Sequence, residues 1–148
     1  MKKIINIIID SSGSMMEDDK NTIVKYLING ICSAHRNLII ENMSINLFQW
    51  GKETKQLDNL ENAKIDFGGR NNIYGLEIIG KLINKEDTVL FVSDGSFGVL
   101  EKEHIMKLSN NILSIYVGID ANKKILKDIS TNKEVYAVMD FIQALFDA

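Results

Sequence analysis

Asp10-Ser11-Ser12-Gly13-Ser14 sets a carboxylate and two hydroxyls at alternate positions, with a glycine between the last two serines that lets the backbone turn. Carboxylate and hydroxyl oxygens are hard ligands, suited to a hard divalent cation. The segment follows Ile4-Ile5-Asn6-Ile7-Ile8-Ile9, a run too short to cross a membrane and too continuous for a half-exposed strand. It reads as a central strand buried on both faces, so its polar end lies at one rim of a sheet. The device recurs where the apolar run Thr88-Val89-Leu90-Phe91-Val92 stops at Ser93-Asp94-Gly95. In open parallel sheets, ligands sit outside the carboxyl ends of the strands where the strand order reverses. Asp10 and Asp94 share that crevice if their two strands are neighbours.

The intervening segments supply the elements that must position these groups. Glu17-Asp18-Asp19 offers cap and first-turn acids to a helix whose apolar side carries Val24, Leu27, Ile28, Ile31, Ala34 and His35. Met43 to Trp50 alternates as a strand, and Gly51-Lys52 turns it into a short polar edge strand over Thr54 to Leu57. Phe67-Gly68-Gly69-Arg70-Asn71-Asn72 then leads into a helix with Ile73, Leu76, Ile79, Leu82 and Ile83 on one side, its N-cap being Asn71 or Asn72. Beyond Asp94 the pattern predicts a helix over Glu101 to Leu108, a strand over Ile112 to Val117 and a short helix over Lys123 to Ile129. A strand over Val135 to Val138 and a last helix from Asp140 complete it. Strands alternating with helices predict an α/β fold: Rossmann-like, doubly wound, its sheet mostly parallel with one antiparallel edge strand and helices on both faces.

The length of 148 residues suits a single domain spanning 1–148, and 45% hydrophobic with 25% charged residues is the balance of a soluble protein with a core. A net charge of -3 without a basic stripe argues against nucleic acid as a partner and gives no support to a membrane surface. Met1-Lys2-Lys3 before an apolar run imitates a signal peptide, but Asn6 and Asp10 interrupt the run and no small-residue cleavage site follows, so the expected location is the cytoplasm. The single cysteine, Cys32, falls on the apolar side of the first helix, as a buried free thiol does.

Asp10-x-Ser12-x-Ser14, a later Gly-Gly loop opening a helix, and a Ser-Asp-Gly after a later strand resemble, in order and along the whole chain, the von Willebrand factor type A domain with its metal-ion-dependent adhesion site. The resemblance implies that Ser12 and Ser14 hold a divalent ion through their hydroxyls while Asp10 and Asp94 act directly or through waters. It implies magnesium or manganese, with calcium ranked behind them, and one coordination position open to an Asp or Glu of a partner protein. The family looks like a binding module and not an enzyme. Free-standing relatives often look like adaptors working beside ATPases or stress systems. Where the family usually has a metal-binding threonine, this chain has Asn71, whose carbonyl oxygen can still bind a hard cation. Arg70 beside it could reach Asp10 or Asp94 and satisfy them without metal, or attract a partner's acid. Trp50 and Phe97 are candidates to ring the ion as partner contacts.

Each assignment has a plainer counterpart. Asp10 and Asp94 could simply cap their own loops, and Ser12 and Ser14 could form turns or helix caps. Trp50 could belong to the core. Neither His35 nor His104 lies in a strand-end loop, which leaves a serine nucleophile without its base. Cys32 and His35 have half-site zinc spacing but no second pair. Two further readings compete for the same residues. One is a haloacid dehalogenase-like or receiver-like phosphotransfer domain using Asp10 as nucleophile, although Ser12 stands where the phosphatase pattern wants a second acid. The other is a metal-free, degenerate interaction domain of the same fold with Arg70 occupying the site.

Overall fold

The structure, a computed structural model, describes residues 2–148. Six strands form one sheet: β1 (Lys3–Asp10), β2 (Met43–Trp50), β3 (Lys55–Leu57), β4 (Thr88–Ser93), β5 (Asn111–Tyr116) and β6 (Tyr136–Ala137). Their order is β3-β2-β1-β4-β5-β6, and all neighbours run parallel except β2 and β3. This is the doubly wound α/β sheet with one antiparallel edge strand that the alternation of apolar runs and helical patterns predicts. Five helices cover it: α1 (Lys20–Arg36), α2 (Ile73–Leu82), α3 (Val99–Met106), α4 (Lys123–Ile129) and α5 (Phe141–Asp147).

β1 is isoleucine-rich because it lies between two parallel neighbours, β2 and β4, with helices over both faces. Ile5, Ile7 and Ile9 pack with Val24, Leu27 and Ile31 of α1 and Leu145 of α5, while Ile8 faces Leu76 and Ile79 of α2, Ile105 of α3 and Leu126 of α4. These isoleucines are fully buried, each contributing about 1.5–3 kcal/mol relative to exposure. The chain leaves β1 toward β2 and β3 on one side, then crosses to β4, β5 and β6 on the other. The strand order therefore reverses between β1 and β4, which sets Asp10 and Asp94 at adjoining strand ends over one crevice.

Several boundaries differ from the sequence pattern. The acids before α1 do not cap it. Gly13–Asp19 is a 3₁₀ segment, and Asp18 and Asp19 sit in the left-handed region at φ 51° and 60°, with no capping bond from Asp19. His35 and Leu82 are exposed, because each lies on the solvent edge of its helix's apolar stripe. Cys32 is buried, its thiol donating to the Leu60 carbonyl at 3.4 Å. Asn72 is the cap of α2, accepting from the Gly75 N–H at 2.8 Å.

Gly75 lets α2 lie directly on the end of β2: a Cβ there would sit 2.8 Å from Trp50 Cδ1 and collide with Thr54. Gly75→Ala should therefore destabilise the protein by about 1–3 kcal/mol through overpacking, read as a lowered urea midpoint. An unchanged midpoint would mean that α2 is free to move off the sheet.

Candidate metal centre

Asp10 ends β1 with no exposed surface, and four hydrogen bonds converge on its carboxylate. Oδ1 accepts from the Ser12 N–H at 3.0 Å, the Ser12 hydroxyl at 2.7 Å and Asn71 Nδ2 at 3.1 Å. Oδ2 accepts from the Ser93 hydroxyl at 2.6 Å. Burial pushes the Asp10 carboxyl above its ordinary range, and the bonds from Ser93, Ser12 and Asn71 offset only part of that. No ion pair reaches Asp10 among the described residues.

Backbone bonds lock the contributing loops together. Gly68 N–H donates to the Ser11 carbonyl at 2.8 Å, Gly13 N–H to the Gly69 carbonyl at 2.9 Å, and Ser11 N–H to the Trp50 carbonyl at 2.8 Å. Gly69 is left-handed at φ 72° and passes so close to Lys52 that a Cβ would lie 2.7 Å from it. Gly51 leaves room for Ser11 in the same way. The loop that follows is thereby held with Asn71 turned in toward Asp10 and Arg70 turned out.

These donors also orient bare oxygens. Ser12 spends its proton on Asp10 and so accepts from the Ser14 hydroxyl at 3.2 Å, which leaves one Ser12 lone pair and the Ser14 lone pairs uncommitted. Asn71 commits its amide nitrogen to Asp10, which leaves its Oδ1 buried without a partner. Ser12, Ser14 and Asn71 line one open cavity of about 300 Å³ with Gly13, Gly69 and Phe97. Among the described residues no three His, Cys, Asp or Glu side chains cluster, so any cation here would rest on hydroxyl and amide oxygens beside the carboxylates. That donor set and the orphaned Asn71 oxygen fit a hard divalent ion.

Asp94 adjoins this group but is engaged elsewhere. It is buried, its Oδ1 accepting from the Ser96 N–H at 3.0 Å and its Oδ2 from Lys20 Nζ at 3.1 Å. Lys20 also lies 3.0 Å from Asp120 Oδ1. Burial by itself would lower the Lys20 pKa; the hydrogen bonds and charges of Asp120 and Asp94 outweigh it and hold the ammonium above its ordinary value. In return Lys20 keeps the Asp120 carboxyl below the usual range.

Two sequence expectations need correction. Arg70 reaches neither Asp10 nor Asp94: it is exposed and makes no ion pair among the described residues, because the Gly68-Gly69 loop turns it outward to the mouth of the cavity. The cation at Asp94 is Lys20, which sequence reasoning passed over as a helix residue. The available signal was its position, since a lysine in the first turn of a helix opposes the helix dipole. Trp50 presents no surface at the rim. It is fully buried, donates its indole N–H to the Asn72 carbonyl at 2.9 Å and stacks edge-on with Phe97 at 5.9 Å. Phe97 is half-buried and does line the cavity. Ser93 was likewise missed as a donor to Asp10.

The fold is similar to the crystal structure of an aerotolerance-related membrane protein from Bacteroides fragilis NCTC 9343 with multiple mutations to serines. That match has a TM-score of 0.73 and 12% identity and covers 98% of this chain and 97% of that one. Proximal thread matrix protein 1 from the mussel byssus matches at a TM-score of 0.67 and 16% identity, over 98% of this chain and 46% of that one. The pilus adhesin SpaC from Lactobacillus rhamnosus GG, in its open conformation, matches at 0.70 and 11% identity over 99% of this chain and 30% of that one. The chain thus spans less than half the length of the last two. Likeness at these identities shows the fold alone. No protein-family model and no curated protein sequence matches the chain.

The carboxylate's dependence on its donors can be measured in metal-free buffer. Because the folded pKa of Asp10 is raised, its contribution to stability is greatest in acid and is lost as pH rises through that value. Ser93→Ala removes the donor to Oδ2 and raises the pKa further. It should cost about 1.5–3 kcal/mol near neutral pH, narrowing toward acid where the protonated acid no longer needs that donor. A urea-midpoint difference independent of pH would show that Asp10 is already neutral in the folded protein.

Proposed function

We propose that this chain is a protein-interaction module that binds a divalent cation, magnesium or manganese, at the β1 and β4 strand ends and through it an Asp or Glu of a partner protein. One observation carries the reading. Ser12 and Asn71 both donate to the same oxygen of Asp10, and that shared commitment turns Ser12 Oγ and the unpartnered Asn71 Oδ1 into acceptors beside Ser14. The Asp-x-Ser-x-Ser segment, the Gly-Gly loop and the Ser-Asp-Gly segment match the adhesion-site pattern of von Willebrand factor type A domains, and Asn71 fills the place usually held by threonine. When bound, the ion would supply a Lewis-acidic position for a carboxylate ligand. Ser12, Ser14 and Asn71 would hold it, Asp10 would orient two of those three, and Asp94 would act from the neighbouring strand end. Exposed Arg70 and half-buried Phe97, at the mouth of the same cavity, would meet the partner. A role beside an ATPase or a stress system is an analogy with free-standing members of that family.

Phosphotransfer is the less supported use of Asp10. Its carboxylate is fully buried with both oxygens hydrogen-bonded, leaving no face toward an attacking or leaving group.

Titration with manganese chloride, followed by calorimetry, should show one site. Ser12→Ala should abolish it without loss of fold. Asn71→Thr should tighten it by restoring a hydroxyl. Arg70→Ala should leave metal affinity unchanged and weaken an acidic partner. Equal manganese binding by wild type and Ser12→Ala would remove the assignment.

A further inference from the structure

Lys20 and Asp94 form the one ion pair among the described residues in which both side chains are buried, each 1% exposed. The backbone is bent to bring this about. The chain enters α1 through two consecutive left-handed residues, Asp18 and Asp19, a conformation unfavourable for side chains with a Cβ. Across from them, Gly118 is left-handed at φ 91°, and a Cβ there would lie 2.7 Å from Lys20 Cε. The lysine stem is thus threaded beneath the loop after β5, and its ammonium ends 3.1 Å from Asp94 and 3.0 Å from Asp120. An exposed lysine would serve the surface with none of this.

Resting on the metal reading above, we infer that Lys20 is a positioning residue that sets the charge of the site. Two unpaired carboxylates, Asp10 and Asp94, would together cancel a divalent ion and leave nothing to attract an acidic ligand. Lys20 neutralises Asp94 and holds its Oδ2 away from direct coordination. Of the two strand-end acids only Asp10 is then without a counter-charge. Glu101, on the cavity wall, contributes its charge whether or not Lys20 is present, so a bound divalent ion keeps more positive charge for a carboxylate from outside than it would beside an unpaired Asp94. Lys20 thereby trades metal affinity for ligand affinity. Asp120, 53% exposed, modulates the trade by drawing on the same ammonium.

The test measures manganese affinity by calorimetry and, on the manganese-loaded protein, carboxylate access by the paramagnetic relaxation of acetate methyl protons. Lys20→Met should tighten manganese on the order of tenfold and suppress the acetate relaxation. Lys20→Arg should restore both toward wild type. Asp120→Asn, at an exposed position, should act in the opposite sense, weakening manganese and strengthening acetate, and its effect should vanish in the Lys20→Met background. A merely structural Lys20 would weaken both readouts together in Lys20→Met, and that result overturns the inference. Should Lys20→Met not fold, Asp120→Asn decides: unchanged manganese and acetate readouts overturn it. Absence of manganese binding in wild type overturns the metal reading itself, whereas wild-type binding that is lost in Ser12→Ala but indifferent to Lys20 and Asp120 overturns only the role of Lys20.

Discussion

A carboxylate sealed at the end of the central strand is the constraint on which this rim depends. Removing an ionised carboxylate from water costs several kcal/mol even after the protein relaxes, and at Asp10 hydrogen bonds, with no counter-charge, offset part of that cost. The donors come from distant parts of the chain: Ser12 from its own loop, Asn71 from the loop before α2 and Ser93 from the end of β4. One buried anion therefore pins three segments. The glycines around it follow from the same need, since Gly51 and Gly69 let the backbones close to where such short bonds can form and Gly68 supplies a positive φ of 138° in the turn between them.

The second strand-end acid is handled by different physics. Asp94 is also buried, but a buried ammonium satisfies it, brought in by left-handed residues at the start of α1 and shared with a solvent-exposed acid. Two carboxylates at neighbouring strand ends thus have unlike surroundings, one of neutral donors and one of opposite charge. Unlike surroundings let acids of the same type take different roles. Beside them Trp50, Phe91 and Phe97 form an aromatic cluster with ring centroids 5.7–5.9 Å apart, Phe97 edge-on to both partners and Trp50 tilted against Phe91.

Arg70 and Lys20 show why the charge at this rim was misassigned from the chain alone. Proximity along the sequence pointed to Arg70, one residue from Asn71. Yet successive residues of an extended loop face opposite ways, so Asn71 facing in turns Arg70 out. Lys20 is ten residues from Asp10 and far along the chain from Asp94, and only the path of the 3₁₀ segment and the passage beneath Gly118 bring its ammonium to that carboxylate. Trp50 went the same way: its position at a strand end suggested the rim, while α2, seated close through Gly75, covers it completely.

What the sequence by itself determined is whatever depends on local pattern: strands where apolar residues run unbroken, helices where they repeat every three or four, acids where strands stop. That was sufficient for the α/β sheet, for its antiparallel edge and for placing Asp10, Ser12, Ser14 and Asp94 at one rim, whereas Asn71 was singled out by the family resemblance and not by local pattern. Periodicity and spacing are set by the backbone's own geometry, which each short segment carries with it. Only the tertiary structure decided which groups satisfy which: Ser93 and Asn71 on Asp10, Lys20 on Asp94, Trp50 in the core, Arg70 in solvent. Those pairings bring together residues tens of positions apart, and burial makes them obligatory, because a polar group sealed from water must be met by whatever the fold brings to it.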